Sequence, residues 1–382
     1  MRQGLAALPQ ERQRRLRSLQ PSGPASLRTA EGPTLLDLAS NDYLGLSRHP
    51  AVRNAAAAEL ENSGLGAGAS RLVSGSRPVH HRLEAALAAW LGRERVLLFP
   101  SGFQANLAAV AALSDRHSLV LADRLIHHSL LAGVGVSGAR LQRFAHNDPA
   151  DLERRLQAAR REHPGRRLLV LSESLYSMEG TSAPLQAFSA LCQQHRAALL
   201  VDEAHALGVL GPGGRGLAHG LGDLALLSGT FGKAFGSGGA FLAGDELVIE
   251  WLLQHGGAFR YTTALAPPLA AGALAALHWI QSQEQQGQHP GTALLARADR
   301  WRDALARAGW PRPAGSGPIL PLLVGDDGRA LALQQQLEQA GLLSVAIRPP
   351  TVPPGRARLR LVLRHDLPAG SLERLIQALG RP

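Results

Sequence analysis

"LLVDEAHALGVLGPGGRG", residues 199–216, is a short apolar run that stops on two acids, reaches a histidine within one turn and then gives way to glycines. An apolar run this short, bounded by polar and turn residues, reads as a strand buried on both faces rather than a helix. Similar runs flank it: "RVLLF" (95–99), "SLVLAD" (118–123), "RLLVLSES" (167–174), "ALLVDE" (198–203), "LALLS" (224–228) and "GAFLAG" (239–244). Helical periodicity separates them over 77–91, 102–112, 149–162, 184–195, 245–254 and about 266–285. Strands alternating with helices describe an α/β domain with a mostly parallel central sheet. In such sheets ligands bind beyond the carboxyl ends of the strands, so the polar residues that end the runs, Asp123, Glu173, Asp202 and Ser228, become candidates for a site.

Polar "QSQEQQGQHPG" (281–291) marks a boundary. Beyond it come a helix over "TALLARADRWRDALARAG", a strand over "PILPLLVG", a helix near 328–340 and strands over "SVAIR" and "ARLRLVL". The expected organisation is therefore an N-terminal segment (1–45), a large domain (46–285) and a smaller C-terminal α+β domain (286–382). "MRQGLAALPQERQRRLRSLQ" reads as an arginine-rich surface helix of a cytoplasmic protein, since it lacks the apolar core of a secretory signal.

Composition narrows the function classes. The chain has 382 residues, 45% hydrophobic and 18% charged, and no run of about 18 apolar residues, so no membrane association is expected. One cysteine, Cys192, excludes a disulfide framework and a cysteine-built metal site. The formal charge of +10 comes from scattered arginines and aromatics are only 4%, so the charge suits an anionic small substrate better than a nucleic-acid partner.

Lysine occurs once. Lys233, in "SGTFGKAFGSGGAF" (228–241), stands against 39 arginines. This is no P-loop, because Leu227 occupies the first glycine position and Ala234 the place of the magnesium-binding hydroxyl. A solvated surface lysine is the ordinary alternative, but a chain that otherwise uses arginine has no need of lysine for surface charge. An amine can lose its proton and form an imine with a carbonyl, whereas a guanidinium stays protonated. A carboxylate at a strand end, Asp202, suits a protonated pyridine nitrogen, and together the two residues point to pyridoxal 5'-phosphate (PLP). The rest of such a site is present. "LLFPSGFQANLAAV" (97–110) opens a helix at Ser101-Gly102-Phe103 whose N-terminus suits a phosphate, with Ser228 and Thr230 as further hydroxyls. His127 or His128 offers an imidazole face for the ring.

"NDYLGL" (41–46), "SRLVSGS" (70–76), "SGFQAN" (101–106), "DEAHALGVLGPGGRG" (202–216) and "TFGKAFGSGGAF" (230–241) together resemble the α-oxoamine synthases. These are fold-type-I PLP-dependent transferases, of the aspartate aminotransferase kind, that condense an amino acid with an acyl thioester and release carbon dioxide. The resemblance implies that Lys233 forms the Schiff base, Asp202 pairs with the pyridine nitrogen and His127 stacks on the ring, where it also meets substrate. It implies that His205 and Ser177 contact the phenolic side, and that Gly102, Phe103 and Thr230 serve the phosphate. Arg17 and Thr351 match substrate-contacting positions, and Arg360 the arginine that receives the amino-acid carboxylate, a role suited to a bidentate guanidinium fork. "IRPPTVPPGRARLRLVL" (347–363) resembles the members that use L-alanine and pimeloyl-CoA or a pimeloyl carrier protein more than those that use glycine. The resemblance further implies a homodimer, with "RYTTALAPP" (260–268) near a neighbouring subunit's cofactor. A PLP aminotransferase or lyase on the same fold remains the alternative, because fold does not determine reaction.

Overall fold

The computed structural model describes residues 1, 9–30 and 32–382. The chain forms two compact units, one of Leu46–Tyr176 and Ser182–Gly291, the other of Met1–Gly45, Ser177–Thr181 and Thr292–Pro382.

The larger unit begins with helices α1 (Pro50–Ser63) and α2 (Pro78–Leu91), each with proline in its first turn, where the missing N–H costs no hydrogen bond. Strands and helices then alternate: β1 (Arg95–Phe99), α3 (Gly102–Leu113), β2 (Leu119–Asp123), α4 (His128–Ser137), β3 (Arg140–Phe144), α5 (Pro149–Glu162), β4 (Leu168–Glu173), α6 (Leu185–Gln194) and β5 (Ala198–Asp202). After a glycine-rich loop come β6 (Leu226–Thr230), β7 (Ala240–Gly244), α7 (Glu246–His255) and α8 (Pro267–Gln285). Among the described residues these strands form one seven-stranded sheet in the order β1-β7-β6-β5-β4-β2-β3. Pairing is parallel from β6 through β3, and only β7 runs antiparallel, between β1 and β6.

The expected apolar strands are all present, five of them inside the sheet and β1 at one edge. Val120, Ala122, Leu171, Leu200, Leu226 and Leu242 are completely buried in the core between sheet and helices. β3 is the strand that the apolar pattern does not reveal. It lies at the sheet's edge, where Arg140 and Arg143 are exposed and only Phe144 is buried, as edge strands carry charge to prevent further pairing. Ser228, expected to end its strand, lies inside β6, which runs on to Thr230.

In the smaller unit, Leu19–Gly23, Ser26–Thr29, Thr34–Asp37 and Leu342–Leu343 form one sheet. Ile319–Gly325, Ala357–Val362 and Val345–Ile347 form an antiparallel second sheet, accompanied by helices Asp327–Gln339 and Ser371–Leu379. The N-terminal surface helix is not found over residues 9–20, which hold a 3-10 turn at Gln10–Arg12 and the start of the first strand. The rest of that expectation, at residues 2–8, lies outside the described residues. No helix among the described residues is long and apolar enough to cross a membrane.

Candidate active site

Because β6, β5, β4 and β2 are parallel neighbours, their last residues (Thr230, Asp202, Glu173 and Asp123) emerge at one edge of the sheet. There a cavity of about 180 Å³ is lined by Gly102, Phe103, Asn106, His127, Ser129, Glu173, Asp202, Ala204, His205, Ser228, Gly229, Thr230 and Lys233. Nine of the expected site residues thus come together within one unit, Lys233, Asp202, His127, His205, Gly102, Phe103, Thr230, Glu173 and Ser228, whereas Asp123, in the same unit, is not in the lining and pairs with His146.

Lys233 is carried on a tight loop after β6. Phe231 N–H donates to Gly239 O, Ser237 N–H to Phe231 O and Gly236 N–H to Lys233 O, each at 2.9 Å. Phe231 and Phe235 are fully buried, with ring centroids 5.6 Å apart, and Phe231 stacks on Phe241 at 5.4 Å. Gly236 makes the turn possible: its φ is +61°, and a Cβ there would stand 2.1 Å from the backbone nitrogen of Ser47. The loop's aromatic anchors and glycine therefore hold the lysine's backbone in one place.

Asp202 is 7% exposed and is held by neutral donors, the Ala204 N–H at 2.8 Å on Oδ1 and the Asn106 amide at 2.7 Å on Oδ2. A buried carboxylate held this way matches a protonated ring nitrogen. His127 caps α4, its Nδ1 accepting from Ser129 N–H at 3.3 Å and lying 2.7 Å from Ser129 Oγ. Burial holds its pKa below the usual imidazole value; Asp202 opposes that shift, while Lys233 and His128 add to it. His205 is buried at the cavity wall.

Ser101 caps α3 by accepting from Gln104 N–H at 3.3 Å, so the N–H groups of Gly102 and Phe103, which have no intrahelical acceptor, face the cavity with the positive end of the helix dipole. Thr230 Oγ1 accepts from Gly232 N–H at 3.2 Å and donates to Gly239 O at 3.0 Å, with its Oγ1 within 3.9 Å of where a Cβ on Gly102 would be. An amine, a carboxylate, an imidazole and a helix N-terminus around one cavity are the donor set that PLP requires, so the residues fit the cofactor.

Glu203, beside Asp202, serves the scaffold. It is fully buried, accepts from Ser174 Oγ and Ala218 N–H, both at 2.5 Å, and so ties the glycine-rich loop to the sheet. Burial pushes its carboxyl from 4.5 up to about 7. A proton held more tightly in the folded chain stabilises it fully below the unfolded value, and that contribution is lost as pH rises through 7. Glu203→Gln is expected to remove this dependence. Thermal melts should show wild type losing stability relative to the variant, by on the order of 3 kcal/mol, between pH 4.5 and about 7. A difference independent of pH would contradict the assignment.

The remaining expected residues belong to the other unit. Arg360 is buried and donates from Nε to Ser177 O at 2.7 Å and from an η nitrogen to Asn41 Oδ1 at 2.9 Å. Tyr43 Oη donates to the same Asn41 oxygen at 3.3 Å. Arg17 makes a two-point pair with Glu338 at 2.9 and 2.5 Å, and Thr351 Oγ1 accepts from Arg14 at 3.0 Å. Sequence reasoning missed Asn106 and Ser129. Asn106 carried a readable signal, since it follows Gly102 by four residues on α3 and so shares its face.

Residues 33–379 match the family model of the class I and II aminotransferases. The chain is 44% identical over 363 residues to the 8-amino-7-oxononanoate synthase of Stutzerimonas stutzeri (strain A1501), covering 94% of this chain and 90% of that one. The Sphingomonas wittichii serine palmitoyltransferase superposes with a TM-score of 0.88 at 29% identity, over 93% of this chain and 88% of the other.

The chain belongs to the α-oxoamine synthases, within the class I and II aminotransferase family. A serine palmitoyltransferase variant from S. paucimobilis, solved with bound PLP-myriocin, matches at a TM-score of 0.89 and 27% identity, over 95% of this chain and 91% of that one. This α-oxoamine synthase therefore has the fold-type-I architecture of PLP-dependent transferases, and its cofactor is PLP.

Proposed function

We propose that the protein catalyses the condensation of L-alanine with pimeloyl-CoA or a pimeloyl carrier protein, releasing carbon dioxide and forming 8-amino-7-oxononanoate, the step used in biotin biosynthesis. The observation that carries this reading is the single lysine on a rigid loop in a cavity with Asp202 and His127, in a chain 44% identical to a named 8-amino-7-oxononanoate synthase.

Bound PLP supplies an electron sink for the electrons left at the α-carbon of an amino acid joined to it. The chain's residues supply the rest. The Lys233 amine would hold the cofactor and, when free, would take the α-proton of the bound amino acid as general base. Asp202 holds a proton at the ring nitrogen, which keeps the sink electron-poor. The α3 N-terminus at Gly102 and Phe103, with Thr230, binds the phosphate. His127 covers one face of the ring, while His205 and Ser177 serve its phenolic oxygen. Arg360 receives the alanine carboxylate through its guanidinium fork, and Arg17 and Thr351 act on the substrate side.

We also propose a homodimer acting in the cytoplasm. Leu65, Val73 and Tyr261 are large apolar residues 77%, 79% and 81% exposed, and Leu72, Val73 and Tyr261 line a cavity of about 500 Å³ with Thr262 and Thr263. An exposed apolar cluster of this kind suits burial against a second copy. The lining includes part of "RYTTALAPP", the stretch expected near a neighbouring subunit's cofactor.

The test assays purified holoenzyme with alanine, glycine and serine against acyl-CoAs of different length. Preference for alanine with the pimeloyl thioester is expected. Preference for glycine would move the protein to another α-oxoamine synthase reaction, and a requirement for a keto acid would make it an aminotransferase.

A further inference from the structure

Asn106 and Ser129 are among the buried polar side chains of the cavity wall that these steps do not use. The Asn106 amide donates one hydrogen to Asp202 Oδ2 at 2.7 Å and the other to Ser129 Oγ at 2.9 Å. An ionised carboxylate can only accept, so Asp202 decides which end of the amide faces it. Asn106 Oδ1 is left buried without a hydrogen-bond partner, so donation, not mutual pairing, is what this side chain provides.

The consequence passes along the chain of bonds. Ser129 Oγ receives a hydrogen from Asn106 and lies 2.7 Å from His127 Nδ1, so its own hydrogen is available to that nitrogen wherever the nitrogen carries no proton. The Ser129 backbone N–H is directed at the same nitrogen at 3.3 Å. With two donors converging on Nδ1, the single proton of a neutral ring has to sit on Nε2. An imidazolium would set Nδ1–H against the backbone N–H and would force the hydroxyl to seek another acceptor.

We infer that Asn106 and Ser129 are positioning residues that transmit the orientation imposed by Asp202 to His127 and keep the His127 proton on Nε2. The inference rests on the reading of Asp202 and His127 as cofactor-side residues. It gives the imidazole over the ring one fixed N–H donor, at Nε2, and withholds a positive charge from a site where Asp202 already holds a proton at the ring nitrogen. The charged groups that act on His127 are Asp202, Lys233 and His128, and Glu173 and His205 line the same cavity. Burial, Lys233 and His128 all favour the neutral ring, in agreement with the hydrogen-bond pattern, and only Asp202 opposes them.

The test is nitrogen-15 NMR of the PLP-loaded protein labelled at histidine, with the His127 signals among the 15 histidines assigned by their loss in His127→Gln. Wild type is expected to show a neutral Nε2–H ring whose Nδ1 accepts hydrogen bonds. Ser129→Ala removes one donor to the neutral ring, so the two tautomers should mix and the His127 titration midpoint should rise by about half to one pH unit. Ser129→Thr keeps the hydroxyl and should restore the wild-type pattern, whereas Asn106→Leu, which frees the hydroxyl to rotate, should mix the tautomers. An Nδ1–H ring in wild type, or Ser129→Ala indistinguishable from wild type, would overturn the inference. Should Ser129→Ala not fold, the wild-type tautomer and the Ser129→Thr spectrum decide the question. The tautomer is read without substrate, so a failed alanine assay would count against the proposed reaction and leave this result standing.

Discussion

Lys233→Arg is expected to lower turnover about 10⁴-fold or more while leaving the thermal midpoint close to wild type. Arginine preserves the charge and much of the bulk, and Phe231, Phe235 and Gly236 hold the loop's backbone. What it removes is an amine that can lose its proton, because guanidinium stays protonated throughout the working pH range. Both proposed roles fail together, the imine to the cofactor and the base for the α-proton. Steady-state assays and melts of the variant beside wild type check this. Turnover within tenfold of wild type would mean that another group does the chemistry.

Asp202→Asn should lower kcat by at least about a hundredfold with little change in KM for alanine. The amide is the same size and its Oδ1 can still accept from Ala204 N–H, while its Nδ2, now a donor, is met only if the Asn106 amide turns its oxygen toward it. Lost is the negative charge proposed to keep a proton at the ring nitrogen, without which the electron sink would weaken. A spectrum showing bound cofactor together with the fall in kcat separates this from simple loss of binding. A variant within threefold of wild type in kcat would show that the carboxylate's charge is not used.

Much of this site was legible because its parts sit at predictable places in an α/β fold. Buried parallel strands announce themselves as apolar runs, and Asp202 and Lys233 stand at or just beyond strand ends, where the sheet opens to ligand. The strand β3 was not legible, since "RLQRF" puts arginines where a central strand would put apolar residues, and only pairing with β2 makes it a strand. The Asn106–Ser129 relay was hidden for a different reason. Its partners are spread over 96 residues of chain, and only the packing of α3 and α4 against the end of β5 brings amide, hydroxyl and carboxylate within hydrogen-bond reach. Arg17 shows the same limit: no spacing in the sequence joins it to Glu338, 321 positions away.

The account depends most on Lys233 as the point of cofactor attachment, and the chain's composition makes that testable without ambiguity. Reduction of the holoenzyme with borohydride, followed by peptide mapping, reads the attachment site. Lys233 is the only lysine in the sequence, so no other side-chain amine competes for a stable adduct. The account predicts reduced cofactor on the peptide containing Lys233; cofactor on any other peptide, or none bound covalently anywhere, would contradict it.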